Sequence, residues 1–201
     1  MRHRIFIAIN LPEKIKKELI IHQEKIEKLF TSLQDESPQP KVTRWTKKDN
    51  LHITLIFLGY VSDQELLEIC KITKDTALKN KPFLIKLIKI IYGPPKKMPP
   101  RMIWVEGEKS KEFSTLKDDL EKSLTTSKQV RFSPEKRVFS PHITLGRIRT
   151  WEFRQIEPEE RPAVNEEISL SFEVNSIEIM ESQLKRGGSE YTVLESVALK
   201  S

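Results

Sequence analysis

A single cysteine, Cys70, in a chain of 201 residues has nothing to pair with, which excludes an internal disulfide framework. The same scarcity argues against a cysteine-based zinc site, and no His-x-x-x-His, cysteine pair or carboxylate-rich loop offers another metal-binding pattern. Cys70 falls on the apolar face of a predicted helix and reads as a buried structural thiol. No apolar run approaches the roughly 20 residues of a membrane-spanning helix, so no membrane partner is expected. Pro12 and the charged Glu13-Lys14 cut the first apolar stretch short of a signal-peptide pattern, and the cytoplasm is the expected location. No short internal period points to a solenoid. The length suits one compact domain or two closely packed lobes, and is too short for two large independent domains.

Charge, by contrast, is abundant. Lys and Arg number 35 against 29 Asp and Glu, a formal net charge of +6, with a pI near 9.3. That balance favours polyanionic partners such as nucleic acid, although abundant Lys, Glu and Ile equally suit growth at high temperature. The best localised basic group, Lys96, Lys97 and Arg101, lies in Pro94-Pro95-Lys96-Lys97-Met98-Pro99-Pro100-Arg101. So many prolines remove backbone donors and force a loop. These three residues are candidates for substrate contacts, with a plain surface connection as the alternative.

Periodicity predicts a strand over residues 4–10, then a helix over 12–33 started by Pro12, with apolar positions Ile15, Leu19, Ile26, Leu29 and Leu33. His22 falls on that stripe and is expected to be a partly buried, satisfied residue rather than a ligand. His3 is assigned no role. Residues 31–41, with Ser37-Pro38-Gln39-Pro40, read as a loop. Ser62 and Glu65 form a capping-box pattern that opens a helix carrying Leu66, Ile69, Cys70 and Thr73 on one face. Strands over 83–92 and 102–107 follow, then an amphipathic helix through Phe113, Leu116, Leu120 and Leu124. A strand pair around Asn175-Ser176 and a closing strand near 191–199 complete the chain. Strands alternating irregularly with a few helices predict an α+β fold with mainly antiparallel sheet.

The functional signal is a repeat. His52-Ile53-Thr54-Leu55 recurs as His142-Ile143-Thr144-Leu145, and the two copies use half of the four histidines. Strand alternation sends His52 and Thr54 to one face and Ile53, Leu55 and Phe57 to the other, where they can anchor in a core; His142 and Thr144 repeat the arrangement. Each copy thus offers an imidazole and a hydroxyl side by side on a strand-favouring backbone. In-line displacement at phosphorus puts the attacking and leaving oxygens on opposite sides, and each needs its own proton-transfer partner. Two imidazoles, with an ordinary pKa of about 6.5, can supply one neutral base and one protonated acid near neutrality. The threonine hydroxyls would hydrogen-bond the non-bridging oxygens, whose charge a preorganised site must hold through the transition state.

These paired motifs resemble those of the 2H phosphoesterase superfamily, in particular the RNA 2′,3′-cyclic phosphodiesterase (2′-5′ RNA ligase-like) family. Arg4-Ile5-Phe6-Ile7-Ala8-Ile9 with Leu11-Pro12 is similar to the family's opening strand and helix start, and Arg44-Trp45 precedes the first motif as in the family. Arg101-Met102-Ile103-Trp104-Val105 is similar to its central strand, and Met180-Glu181-Ser182-Gln183-Leu184 and Gly188-Ser189-Glu190-Tyr191 fit its end. Asn10 and Gly146 depart from the pattern, standing where Asp and a small residue such as Ala are usual. The resemblance implies a single domain over residues 1–201. It would be bilobal: two pseudo-symmetric lobes of mainly antiparallel sheet, helices outside, and a central cleft carrying both His-x-Thr motifs.

The resemblance also implies metal-independent hydrolysis of RNA or oligonucleotide 2′,3′-cyclic phosphate ends to 2′-phosphomonoesters. His52 would be the proton donor and His142 the acceptor, Thr54 and Thr144 would bind phosphate, and no cofactor is expected. Arg147 matches the family's arginine after the second motif and would contact phosphate. Strict alternation, however, sends it to the face opposite His142, so a bend or bulge at Gly146 is required to re-aim it. The alternatives are a 2′-5′ ligase running the reaction in reverse, a non-catalytic RNA-end binding module, or two histidines hydrogen-bonded in a core. A monomer is the expected state.

Overall fold

The computed structural model describes residues 2–31, 41–95, 97–135, 140–186 and 188–200. Lys96, Leu33 and the Ser37-Pro38-Gln39-Pro40 stretch lie outside the described residues.

Among the described residues, nine strands form one sheet: β1 (Arg2–Asn10), β2 (Thr43–Trp45), β3 (His52–Ser62), β4 (Phe83–Gly93), β5 (Met102–Gly107), β6 (His142–Ile148), β7 (Asn165–Val174), β8 (Ser176–Lys185) and β9 (Gly188–Ala198). Eight lie in the order β7-β4-β5-β6-β3-β1-β8-β9, and β2 pairs with β6. Every pairing is antiparallel. The helices are α1 (Glu13–Thr31), α2 (Asp63–Ala77), α3 (Lys111–Thr126) and the short α4 (Thr150–Arg154). No described helix is long and apolar enough to cross a membrane. The architecture is α+β, as the element pattern predicts.

The seam of this sheet sits at its centre. Among the described residues, β3 and β6 are joined only by the pairing of Ile53 with Ile143; the eight strands of that order divide four and four across it, and β2 adds a fifth on the β6 side. With the short β2 set aside, the order strand–helix–strand–helix appears twice, as β1-α1-β3-α2 and as β5-α3-β6-α4, with β3 beside β1 and β6 beside β5. The helices bind the halves together. Helix α1 follows β1 but packs against β6 and β7, while α3 follows β5 and packs against β3 as well as β4.

The strand pair expected around Asn175 is absent as a hairpin. Strand β7 pairs with β4 at one end of the sheet, whereas β8 lies between β1 and β9 towards the other. One residue, reaching at most about 3.6 Å, cannot span a flat sheet. The sheet must therefore curl until its ends meet at Asn175, whose carbonyl accepts from the Leu199 N–H at 2.8 Å.

Local chemistry accounts for the helices. Ser62 accepts from Glu65 N–H while the Glu65 carboxylate accepts from Ser62 N–H at 2.8 Å, completing the capping box on α2. Phe113, Leu116, Leu120 and Leu124 of α3 are all buried, one apolar stripe at helical spacing. In α1 the buried face is Ile15, Leu19, Gln23, Ile26 and Phe30. This 4-4-3-4 spacing leaves Leu29 exposed, contrary to the expected stripe, and puts His22 at its edge, with Nδ1 3.5 Å from Glu166. Cys70 is half-buried on α2, and burial together with the neighbouring Glu195 carboxylate pushes its thiol up to about 11, so it stays protonated.

Candidate active site

On β3, Ile53 and Leu55 are buried while His52 and Thr54 face an open cavity; on β6, Ile143 and Leu145 are buried while His142 and Thr144 face the same cavity. Because Ile53 opposes Ile143 in an antiparallel ladder, the two motifs run past each other in opposite directions on one face of the sheet. The cavity holds about 210 Å³, and Arg4, Phe6, Asn50, Phe57, Arg147 and Tyr191 also line it. Phe57 departs from the expected alternation. The β1–β3 register skips Leu55 and Leu58, and these irregularities rotate Phe57 out of the core, leaving it 49% exposed at the cavity.

Each imidazole is fixed by the same device. His52 Nδ1 lies 2.7 Å from the Asn50 carbonyl oxygen, and His142 Nδ1 lies 2.8 Å from that of Ser140. A carbonyl only accepts, so each Nδ1 carries the hydrogen and each Nε2 is left to give or take a proton. His52 Nε2 is 2.9 Å from Thr54 Oγ1. Asn50 is itself held, its amide donating to the Ser189 carbonyl at 2.8 Å.

Aromatic rings pack against both imidazoles. Phe6 and Tyr191 lie 5.0 and 5.3 Å from the His52 ring, centroid to centroid. Trp104 stacks on His142 at 4.0 Å with 25° between the planes. Burial is the main reason both histidines have their pKa lowered. The neighbours then differ. His142 and Lys16 push His52 further down, whereas Glu106, the cross-strand partner of His142, pulls His142 back up. Gly93 makes the Trp104 stack possible, because a Cβ there would lie 2.2 Å from Trp104 Cδ2.

Arg147 lines the cavity, on the side strict alternation forbids. The β5–β6 register explains it: Ile103 pairs with Gly146 and Trp104 with Thr144, so Leu145 is an extra residue in a bulge. The bulge lies one residue before the position expected from sequence. The Leu145 carbonyl accepts from Thr46 N–H at 2.8 Å and from the Gln23 side-chain amide at 2.8 Å, and the same amide donates to the Thr46 carbonyl at 3.0 Å. Gly146 leaves these neighbours room: a Cβ would fall 2.7 Å from Thr43 Cγ2 and 2.9 Å from Trp45 Cε3, so the Ala of the family pattern fits only if those two side chains shift.

Lys97 and Arg101 are exposed and are not among the residues lining this cavity. Arg101 precedes Met102, the cross-strand partner of Arg147, and its carbonyl accepts from Ile148 N–H at 2.9 Å. Sequence reasoning gave no role to Arg4, Phe6, Gln23, Glu106, Trp104 or Tyr191. All but Gln23 and Glu106 stand in segments that matched the family pattern; those two carry no local signal, since only the register brings them to the motifs. Among the described residues no group of three or more His, Cys, Asp or Glu side chains could hold a metal ion.

A family model described as LigT-like phosphoesterase matches residues 21–104. An RNA 2′,3′-cyclic phosphodiesterase of Aeropyrum pernix is 34% identical over 155 residues, covering 76% of this chain and 84% of the relative. This chain belongs to the LigT-like phosphoesterase family. A relative from Methanocaldococcus jannaschii, also named RNA 2′,3′-cyclic phosphodiesterase, is 28% identical over 96% of this chain and 98% of its own. Among solved structures, a Thermus thermophilus protein superposes with a TM-score of 0.79 at 26% identity, covering 98% of both chains. Escherichia coli LigT complexed with NADP+ gives 0.70 at 25% identity, covering 100% of both.

Proposed function

We propose that this chain hydrolyses RNA 2′,3′-cyclic phosphate ends to 2′-phosphomonoesters, using His52 and His142 as an acid–base pair without a metal ion. The carrying observation is that both imidazoles are locked through Nδ1 to the carbonyl two residues earlier, which leaves two Nε2 atoms for one cavity. The names of the relatives support the substrate class. Both motifs come from one chain, so a monomer suffices.

The cyclic phosphate sits between the imidazoles. Neutral His142 Nε2 takes a proton from water as the water oxygen attacks phosphorus, and protonated His52 Nε2 gives its proton to O3′ as the phosphorus–O3′ bond breaks. This division of roles follows the family resemblance. Glu106 and Lys16 by themselves bias the pair the other way, placing the first proton on His142. The substrate's anionic phosphate lies beside both rings and favours the protonated form of either. Thr54 and Thr144 hydroxyls and the Arg147 guanidinium hold the non-bridging oxygens as their charge grows.

The test is incubation with a nucleoside 2′,3′-cyclic phosphate in the presence of a chelator. The expected product is the 2′-monophosphate with a free 3′-hydroxyl, formed at an undiminished rate. Predominant 3′-phosphate would overturn the orientation, and activity lost to chelator and restored by a divalent ion would overturn the two-histidine mechanism.

A further inference from the structure

His3, which sequence alone leaves without a role, lies between two carboxylates. Its Nδ1 is 2.7 Å from Glu181 Oε1 on β8, and its Nε2 is 2.8 Å from Asp63 Oδ1 in the first turn of α2. An ionised carboxylate only accepts, and a neutral imidazole carries a single N–H, so only the imidazolium can donate to both at once. The hydrogen bonds to Glu181 and then to Asp63 raise the His3 pKa, and the bond from His3 is the main reason the Glu181 carboxyl lies below its ordinary value. The other neighbours are engaged elsewhere. Across the sheet His3 is paired with Val61, and Arg2 and Arg4 point to the opposite face of β1. The Glu65 carboxylate is turned to Ser62 in the capping box, and the second oxygen of Glu181 accepts from the Gln183 side-chain amide at 3.2 Å.

The contact sits where the main chain leaves a gap. The β1–β8 ladder runs from Ala8–Glu178 to Ile5–Glu181 and stops there, although β1 continues to Arg2 and β8 to Lys185. Past that point side chains join the two strands: His3 to Glu181 on one face, and on the other Arg4 Nη1, which donates to Ser182 Oγ at 3.3 Å. Arg4 and Ser182 line the cavity that holds the two motif histidines. The imidazolium of His3 therefore lies directly behind one wall of that cavity, and it fastens the start of α2 to the same place. We propose that His3 is a pH-sensitive latch, which as an imidazolium closes the free end of the β1–β8 ladder onto α2 and opens as the pH rises.

The direction follows from linkage. A histidine whose pKa is raised on folding stabilises the fold fully below its ordinary value of about 6.5, and that contribution is lost as the pH rises through the raised value. Neutral His3 keeps one N–H, so one of the two carboxylates then faces a lone pair. At the acid end the lowered Glu181 carboxyl keeps its charge until the pH falls through its own depressed value. His52 and His142 are shifted the other way, by burial, so the latch stays closed over the range in which those two change charge. It acts on the cavity wall whatever reaction the cavity carries out.

NMR titration of the histidine ring protons tests the latch. The resonance that is missing from His3→Gln should titrate above about 6.5 in the unaltered protein, and Glu181→Gln, which keeps the shape and removes the charge, should lower its midpoint. His3→Gln should melt at a lower temperature than the unaltered protein at pH values below that midpoint, and the difference should vanish above it. Hydrogen exchange at the Ile5–Glu181 end of the ladder, corrected for the intrinsic rate, should speed up as the unaltered protein passes the midpoint and be fast at every pH in His3→Gln. A His3 midpoint at or below the ordinary value, or a melting difference that does not change with pH, overturns the latch. If His3→Gln does not fold, Glu181→Gln decides alone: an unchanged His3 midpoint overturns the proposal.

Discussion

The side-chain amide of Gln23, on α1, donates at 2.8 Å to the carbonyl of Leu145, the extra residue of the β6 bulge. Gln23 is buried, and its second hydrogen bond runs to the Thr46 carbonyl. The helix thus holds the one irregularity that turns Arg147 towards the histidines. Gln23→Leu keeps the volume but leaves buried carbonyl groups short of a donor, at a cost of about 1–3 kcal/mol. The expected outcome is a lower melting temperature together with a raised KM. In an Arg147→Ala background the KM effect should disappear while the stability loss remains, which a double-mutant cycle measures.

Gly93→Ala tests the aromatic wall behind His142. The new Cβ would lie 2.2 Å from Trp104 Cδ2, so the indole must leave its 4.0 Å stack on the imidazole. Overpacking of this kind costs about 1–3 kcal/mol. Burial is the main cause of the lowered His142 pKa, so uncovering the ring should raise that pKa towards its ordinary value. NMR titration of the His142 ring protons reads the shift directly. An unchanged titration in folded protein would show that the indole is not what desolvates the ring.

The pH profile follows from the same directions. Turnover needs one imidazole neutral and one protonated, so the rate falls on either side of an optimum set by two macroscopic pKa values. In the free enzyme both are below the ordinary histidine value. The optimum in kcat/KM should therefore lie on the acid side of about 6.5. Bound phosphate favours protonation, so the optimum in kcat should lie at higher pH. Coincident optima, or a kcat/KM optimum well above about 7, would contradict this order.

Much of this was legible in the chain because the informative residues are local. The two His-x-Thr strands, the Ser62–Glu65 capping box and the Phe113–Leu124 stripe each declare themselves within a few positions. The departures within the sheet come from register and from its curl. Phe57 reaches the cavity through irregularities in the β1–β3 ladder, Arg147 through a bulge at Leu145, and β7 and β8 separate at Asn175 because the sheet curls. A bulge changes which face a side chain takes, yet its cause lies in partners far along the chain. Gln23 is the plainest case: it is separated from Leu145 by 122 positions.

The acid can be told from the base by changing the leaving group. His52→Ala and His142→Ala should each lower the chemical step by roughly 100- to 10,000-fold with the fold intact, and Thr54→Ala or Thr144→Ala should cost less, since a hydroxyl transfers no proton here. A cyclic phosphorothiolate with sulfur in place of O3′ expels a thiolate, which needs no proton donor. The acid variant should recover much of its rate on that substrate, whereas the base variant still lacks the group that activates water. If His52 is the donor, as the family pattern implies, sulfur rescues His52→Ala alone. Rescue of His142→Ala alone would mean that Glu106, which raises the His142 pKa, and Lys16, which lowers that of His52, keep the catalytic proton on His142 with substrate bound. Rescue of neither would mean that protonation of the leaving oxygen is not what these imidazoles contribute.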